Sequence, residues 1–284
     1  MQLSIILQYL LPKQAITALA GKLANLQCGT TTTKVIAWFV QRYQVNMAEA
    51  ANPDISSYKT FNDFFTRPLK ANARPLANAD FICPVDGAIS QFGNIEQDQI
   101  FQAKNHNYSS LTLLAGNQAL ASKFQNGSFA CLYLSPKDYH RIHMPCDGTL
   151  KTMTYVPGAL FSVNPTTAQG VPGLFARNER VVCEFESVAH GSFIMVLVGA
   201  TIVGSMATTW HDSENGIINP PRTSNIRVWS YQNQNINLKQ GDEMGKFLLG
   251  STVVMLFEKN TLVFNKAWRA ERVIKLGEIM ATKI

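Results

Sequence analysis

Residues 193–204 read FIMVLVGATIVG, a run of apolar and small residues without a charge. A helix that crosses a bilayer needs roughly 20 such residues, so this run is too short to span. It is rich in Ile, Val and Thr, whose branched side chains suit an extended strand. Its continuous apolar character is that of a strand buried on both faces. The stretch therefore sets the body of the molecule as β structure, and the neighbouring sequence agrees. From Phe81 onward, short runs recur between turn residues: AISQFG (88–93), FACLYLS (129–135), GTLKTMTYV (148–156), RVVCEFE (180–186), RVWSY (227–231) and GSTVVMLFEK (250–259). This spacing predicts a β-rich barrel or sandwich.

The first 65 residues read differently. Leu3, Ile6 and Leu10, then Ile16, Leu19 and Leu23, recur at helical spacing on either side of Pro12. The segment lacks the basic start of a signal peptide, and Gln27 before Cys28 does not suit a lipoprotein cleavage box. Two readings stay open for these amphipathic helices, a core-facing role and an interfacial one at a membrane. Residues 31–51 predict a further helix with Thr33 as N-cap and Val35, Phe39 and Tyr43 along one stripe. TFNDFFTRPLK (60–70) predicts a short helix or turn closed by Pro68. The fold class expected is α+β, with a helical region over 1–65 preceding a β-rich body over 66–284.

Composition narrows the partners. Charged residues make up only 15% of the 284, against roughly 25% in ordinary soluble domains, yet the formal net charge is +6. A basic balance in a lightly charged chain points to an anionic partner. No Lys/Arg-rich run interleaved with aromatics is present, which disfavours nucleic acid. The five cysteines (28, 83, 131, 146 and 183) have no C-x-x-C spacing, so the expectation is reduced thiols and no zinc site. Arg67 and Arg74 each begin an Arg-Pro-Leu triplet in a loop-rich stretch. They read as phosphate-holding groups or as solvated loop cations.

Few residues offer chemistry. His140 and His143 lie between Pro136 and Pro145. Three apart, they share a face on a helix but oppose one another on a strand, so either a turn intervenes or only one faces a given site. As a metal pair without a carboxylate they are weak candidates. Asp86 and Asp147 occupy an internal echo, CPVDGAI (83–89) and MPCDGTL (144–150). Asp-Gly is first a turn signal, and the echo predicts two equivalent turns, each leading into a strand. Ser251 follows Gly250 at the head of a strand. The G-x-S-x-G elbow of hydrolases is absent, and glycine lets another group approach its carbonyl closely.

Taken in order, FNDFFTRPLK (61–70), PVDGAIS (84–90), YHRIHMPCDG (139–148), LFSVNP (160–165), NERVV (178–182), VGATIVGSM (198–206) and KQGDEMGKFLLGSTVV (239–254) resemble the phosphatidylserine decarboxylases of the short bacterial type. The resemblance runs from about residue 34 to 265. It implies a pyruvoyl group made from an internal serine, which here is Ser251. It also implies cleavage between Gly250 and Ser251 into chains 1–250 and 251–284. The family's self-processing Asp/His/Ser set falls on Asp86, His143 and Ser251. A further histidine implicated in decarboxylation falls on His140, and Asp147 has no counterpart role.

Those residue types suit the chemistry. A serine hydroxyl attacks only once a base takes its proton, and His143 supplies a base, with Asp86 expected to hold its tautomer. Strain at the scissile link and donors for the oxyanion would help. A pyruvoyl carbonyl provides the electron sink for loss of carbon dioxide from phosphatidylserine, and His140 would return a proton to carbon. The resemblance further implies a peripheral protein on the cytoplasmic face of the inner membrane, at an anionic lipid surface, and a homodimer of cleaved pairs. Two rival readings keep the same residues: a serine hydrolase acting on an external ester, and a lipid-binding barrel in which Gly250 and Ser251 are incidental.

Overall fold

A computed structural model describes residues 3–201, 206–211, 225–248 and 252–284. Helices come first: α1 (Leu3–Leu10), α2 (Lys13–Ala24), α3 (Thr30–Tyr43) and α4 (Phe61–Phe65). Helix α3 starts earlier than expected. Gly29 at φ +54 occupies its N-cap, and Thr33 sits within the first turn instead. Helix α4 starts where the sequence placed it. Thr60 and Asp63 form a reciprocal capping box, each side chain accepting from the other's backbone N–H. Phe39 of α3 meets Phe61, Phe64 and Phe65 of α4 in a small aromatic core.

The body follows as β1 (Phe81–Ile82), β2 (Gly87–Asn94), the hairpin β3 (Gln99–Ala103) and β4 (His106–Ser109), α5 (Ser110–Leu113), α6 (Gln118–Lys123), β5 (Ser128–Tyr133), β6 (Arg141–His143) and β7 (Gly148–Val156). Next come α7 (Pro165–Gly170), α8 (Leu174–Arg177), β8 (Arg180–Ser187), β9 (Gly191–Val198), β10 (Met206–Thr208), β11 (Arg227–Ser230), β12 (Asn237–Leu238) and β13 (Glu243–Phe247). The chain closes with β14 (Thr252–Phe257), β15 (Leu262–Phe264), β16 (Val273–Ile274) and β17 (Ile279–Lys283). Each strand of the Pro-x-Asp-Gly echo begins at its glycine, Gly87 for β2 and Gly148 for β7.

The main sheet runs β11-β7-β8-β9-β14-β5-β2-β16, with β12 also pairing β7. Its neighbours are antiparallel. It stays open among the described residues, so the barrel alternative is not realised. Strand β9 takes the first half of the 193–204 run, ending at Val198; it lies between β8 and β14 and is buried on both faces, and residues 202–204 of the run lie outside the described residues. Side chains alternate between two cores, as a period of two requires. Ala130, Leu132, Val253, Met255, Met195 and Leu197 face one core. Two three-stranded sheets, β1-β17-β15 and β10-β13-β6, contribute Phe81, Ile142, Phe247 and Met280 to it. Cys131, Val254, Leu256, Ile194 and Val196 face the other, beneath the β3–β4 hairpin and helices α5–α8.

Helix α1 docks on this second layer. Ile5 is buried in its core, Gln8 donates to Thr167 Oγ1 at 2.9 Å, and Ser162 N donates to Gln8 Oε1 at 2.9 Å. The last 33 residues are woven through the rest. Strand β14 sits between β5 and β9, β16 pairs β2, and β17 pairs β1. Among the described residues, no helix is long and apolar enough to cross a membrane. All five cysteines are free thiols, four of them buried.

Candidate active site

The two histidines sit either side of a short strand. Asp138 closes the turn before them, accepting at 2.7 Å from both the N–H and the hydroxyl of Ser135. His140 precedes β6 and His143 ends it, so each enters a different environment. His140 is fully buried and stacks on Phe65, with ring centroids 4.0 Å apart and planes 17° from parallel. Neither ring nitrogen has a hydrogen-bond partner of acceptable geometry among the described residues. Burial, and secondarily the Arg67 charge, pull its pKa down to about 3 against weaker opposition from the nearby Pro136 and Ser135 carbonyls.

His143 is tied at both nitrogens. Nδ1 lies 2.7 Å from the Gly241 carbonyl oxygen, and Nε2 lies 3.1 Å from the Tyr139 hydroxyl. A carbonyl only accepts, so Nδ1 carries the proton and Nε2 accepts from Tyr139. Burial lowers the pKa of this ring too, partly offset by the Gly241 bond.

Asp86 lies where the chain turns into β2. At Gly87 a Cβ would stand 2.4 Å from the Tyr133 carbonyl oxygen, so only glycine lets β2 close on β5 here. The buried Asp86 carboxylate accepts from Arg74 Nε at 2.9 Å through Oδ1 and from Arg74 Nη2 at 2.5 Å through Oδ2. Leu276 N donates to the same Oδ1 at 2.9 Å. Arg74 Nη2 also meets Glu49 Oε2 at 2.5 Å, and Lys275 reaches Glu49 Oε1 at 3.1 Å. Arg74, chiefly, holds the Glu49 carboxyl below its usual range. Neither arginine of the Arg-Pro-Leu triplets is a solvated loop cation. Arg74 is consumed by two carboxylates. Arg67 is buried, with long bonds to the Phe64 and Lys137 carbonyls (3.4 and 3.3 Å).

The main chain brings these groups together. His143 N donates to the Pro84 carbonyl at 2.9 Å, which lays β6 along the segment that ends in Asp86. The Asp86 charge acts on His143, as a smaller contribution favouring its protonated form. The tautomer-holding role expected of Asp86 is filled by the Gly241 carbonyl. Asp147 stands apart. It is exposed, accepts from Lys239 Nζ and Gln240 N at 2.8 Å, and serves its turn.

Gly250 and Ser251 lie outside the described residues, but their flanks are fixed. Before them, Phe247 N donates to the His140 carbonyl at 2.9 Å. After them, Thr252 stands opposite Val198 on one side and Tyr133 on the other. Tyr133 in turn pairs with Ala88, two residues beyond Asp86. Thr252 Oγ1 is buried without a partner among the described residues. Tyr139, Gly241 and Phe65, which hold the histidines, carried no signal in the sequence, and Arg74, expected to hold phosphate or face solvent, holds Asp86 instead. The repeated Arg-Pro-Leu was the one available hint, and it did not indicate which carboxylate Arg74 meets.

An open α+β body that holds a buried histidine (His140), a half-buried one (His143) and a clamped aspartate (Asp86) carries the groups that acid–base chemistry needs. Comparison with known proteins gives the family. The family model described as phosphatidylserine decarboxylase matches residues 61–282, and a second, described as PSD, matches residues 3–44. The phosphatidylserine decarboxylase proenzyme of Dechloromonas aromatica is 68% identical over 281 residues, covering 99% of this chain and 98% of its own length. The protein of the same name from Albidiferax ferrireducens is 67% identical over 280 residues (99% and 97%). That from Herminiimonas arsenicoxydans is 63% identical over 283 residues (100% and 95%). The chain belongs to the phosphatidylserine decarboxylase family.

Proposed function

We propose that this chain is made as a proenzyme, cleaves itself between Gly250 and Ser251, and then decarboxylates phosphatidylserine to phosphatidylethanolamine. Family membership across nearly the whole length supports the reaction. The observation that carries the site is the tethering of both flanks of the Gly250–Ser251 link, by the His140 carbonyl before it and by strand register after it.

In cleavage, the Ser251 hydroxyl attacks the Gly250 carbonyl carbon, and the amide becomes an ester with a free amine on residue 251. His143, neutral and with its Nε2 lone pair turned to Tyr139, takes the hydroxyl proton directly or through that hydroxyl. Loss of the Ser251 α proton then expels the Gly250 carboxylate. The dehydroalanine left behind takes up one water and releases ammonia. The products are chains 1–250 and 251–284. Strands β14, β16 and β17 remain paired with β5, β9, β2 and β1, so the two stay associated without a covalent link.

The residues beside the junction fit a pyruvoyl group on residue 251. Thr252 Oγ1, one residue from the chain end that would carry the carbonyls, is a buried polar atom without a partner among the described residues, and the buried His140 ring sits on the residue whose carbonyl accepts from Phe247 N on the other flank. Such a group supplies an electron sink for a departing carboxylate. The chain's own part is to hold the substrate dry and to move one proton. His140 is neutral in the resting site. A substrate carboxylate or phosphate entering beside it supplies the opposite charge that favours the imidazolium, so the proton arrives with the substrate. Helices α2 and α3 face the lipid surface, with Leu23, Leu26, Val35 and Trp38 lining an apolar cavity of about 520 Å3 between them.

Intact-mass measurement of the purified protein tests the reading. Two chains are expected, the shorter starting at residue 251 and lacking the elements of ammonia relative to a serine-started fragment. A single uncut chain in an active preparation would reject self-cleavage and favour the hydrolase reading.

A further inference from the structure

Asp86 is the most heavily bonded acid among the candidates, and its bonds come from outside the set that the sequence put together. A carboxylate has about four lone-pair directions. Arg74 Nε and Leu276 N occupy Oδ1 at 2.9 Å each, and Arg74 Nη2 occupies Oδ2 at 2.5 Å, with Nε also 3.1 Å from Oδ2. Such a fork fixes the plane of the carboxylate as well as its position. Arg74 is fixed from its far side by Glu49, and Nη1 donates to the Ala73 carbonyl at 2.8 Å.

The loop that carries Arg74 is itself seated on the segment that supplies Leu276. Ala77 N donates to the Gly277 carbonyl at 2.9 Å, and Gly277 N donates to the Cys83 carbonyl at 3.0 Å. Gly277 has φ +87, and a Cβ there would lie 2.5 Å from the Pro75 carbonyl oxygen. Three stretches distant in sequence thus converge on one carboxylate: residues 74–77, 83–87 and 275–277. Nothing of comparable strength is spent on Asp147, the aspartate in the equivalent turn, which has an exposed lysine and one backbone amide.

Resting on the self-cleavage reading above, we infer that Arg74 is a positioning residue for that step: its fork on Asp86 holds the carboxylate at the place from which its charge reaches His143. A surface ion pair would not need a buried fork, a shared second carboxylate and a glycine-dependent loop seat. Glu49 is the outer layer of the same device. It steadies the guanidinium and touches none of the reacting groups.

The test follows cleavage of the full chain over time after cell-free synthesis, with turnover expressed per mole of short chain. Arg74→Ala is expected to cleave about 10- to 100-fold more slowly, the usual cost of removing the partner that orients a functional group. Added guanidinium is expected to restore cleavage, whereas equal ionic strength of sodium chloride, or urea, is not. The fraction that has been cleaved should turn over normally. Should Arg74→Ala fail to fold, Arg74→Lys decides, because it keeps the charge and loses the fork. It should fold and still cleave several-fold more slowly. Wild-type cleavage in whichever of the two folds, or equal rescue by sodium chloride, overturns the inference. Asp86→Asn run beside them separates the two claims: if it cleaves at the wild-type rate, the role given to Asp86 falls, whatever Arg74 does.

Discussion

His140 lies flat on Phe65, 4.0 Å between ring centroids, with both nitrogens buried and unpartnered among the described residues. Burial disfavours a charge on this ring and Arg67 repels it, against weaker opposition from the Pro136 and Ser135 carbonyls. The folded protein therefore keeps this ring neutral down to about pH 3, whereas the unfolded chain protonates it near 6.5. The sign follows from linkage. Stability from the neutral ring is complete above pH 6.5 and is lost as pH falls towards 3, because the unfolded state binds the proton first. Each pH unit in that window costs about 1.4 kcal/mol per proton, a few kcal/mol in all. His140→Phe in a Ser251→Ala background, which is expected to stay one chain, should remove this slope. Denaturant midpoints measured from pH 7 to about pH 4 check it. Parallel curves for the two proteins would show that the ring is not buried neutral.

The environments of the two histidines also separate their roles in rate measurements. His143 has a defined tautomer, which suits the base role proposed for it. His140 has only the weak pull of the Pro136 and Ser135 carbonyls, which suits the proton-donor role proposed for it once substrate is bound. His143→Ala is expected to leave the chain uncut. His140→Ala is expected to cut, yet to turn over at least about 100-fold more slowly, the lower end of what a general acid contributes. Gel analysis of cleavage, paired with carbon dioxide release, reads both. If both variants are cut at the wild-type rate, the base lies elsewhere.

Thr252 offers a stability test next to the junction. Its hydroxyl is buried in the main sheet without a partner among the described residues, while its backbone is held on both sides. An unsatisfied buried hydroxyl costs about 1–3 kcal/mol, and valine has nearly the same shape. Thr252→Val should therefore raise the denaturation midpoint of the uncut Ser251→Ala protein. A drop of similar size would mean that the hydroxyl has a partner in the folded chain.

Much of the fold was legible because period-two patterning is a local signal. The runs that became β2 and β7 carried it, and those that became β5, β9 and β14 carried the companion signal of a short unbroken apolar run between turn residues. The Pro-x-Asp-Gly echo was legible for the same reason. What the pattern could not carry was pairing across distance. Arg74 meets Asp86 after 12 residues but Leu276 meets it after 190, and Gly241 meets His143 after 98. No local chemistry marks such partners. The Thr33 cap failed on a narrower point. Thr30, Thr31 and Thr32 precede it, and any of four threonines satisfies the rule equally, so the rule had no power to choose among them. The open sheet likewise depends on how the ends of β11 and β16 lie, which alternation along a strand does not encode.

The helical region leaves a distinctive surface. Leu10 is 76% exposed, Leu23 57% and Trp38 59%, with Leu19, Leu26 and Val35 also exposed. A water-facing helix bundle gains nothing from these side chains, and single exposed apolar residues are ordinary, but Leu23, Leu26, Val35 and Trp38 gather around the α2–α3 cavity. The charges nearby have one sign. Lys13, Lys22, Lys34 and Arg42 are the ionisable side chains of opposite interest to an anionic leaflet, and the first acidic residue is Glu49. Each basic group near such a surface contributes about 1 kcal/mol, and each buried Leu or Trp roughly 1.5–3 kcal/mol. Leu23→Glu with Trp38→Glu should therefore weaken binding to vesicles containing phosphatidylserine by at least about tenfold. Cleavage, and turnover of a water-soluble short-chain substrate, should stay near wild type, since neither residue contacts the candidate site. Co-sedimentation with vesicles, run beside the soluble assay, distinguishes the outcomes. Unchanged binding would return α2 and α3 to the other reading of their apolar stripe, a face for protein packing.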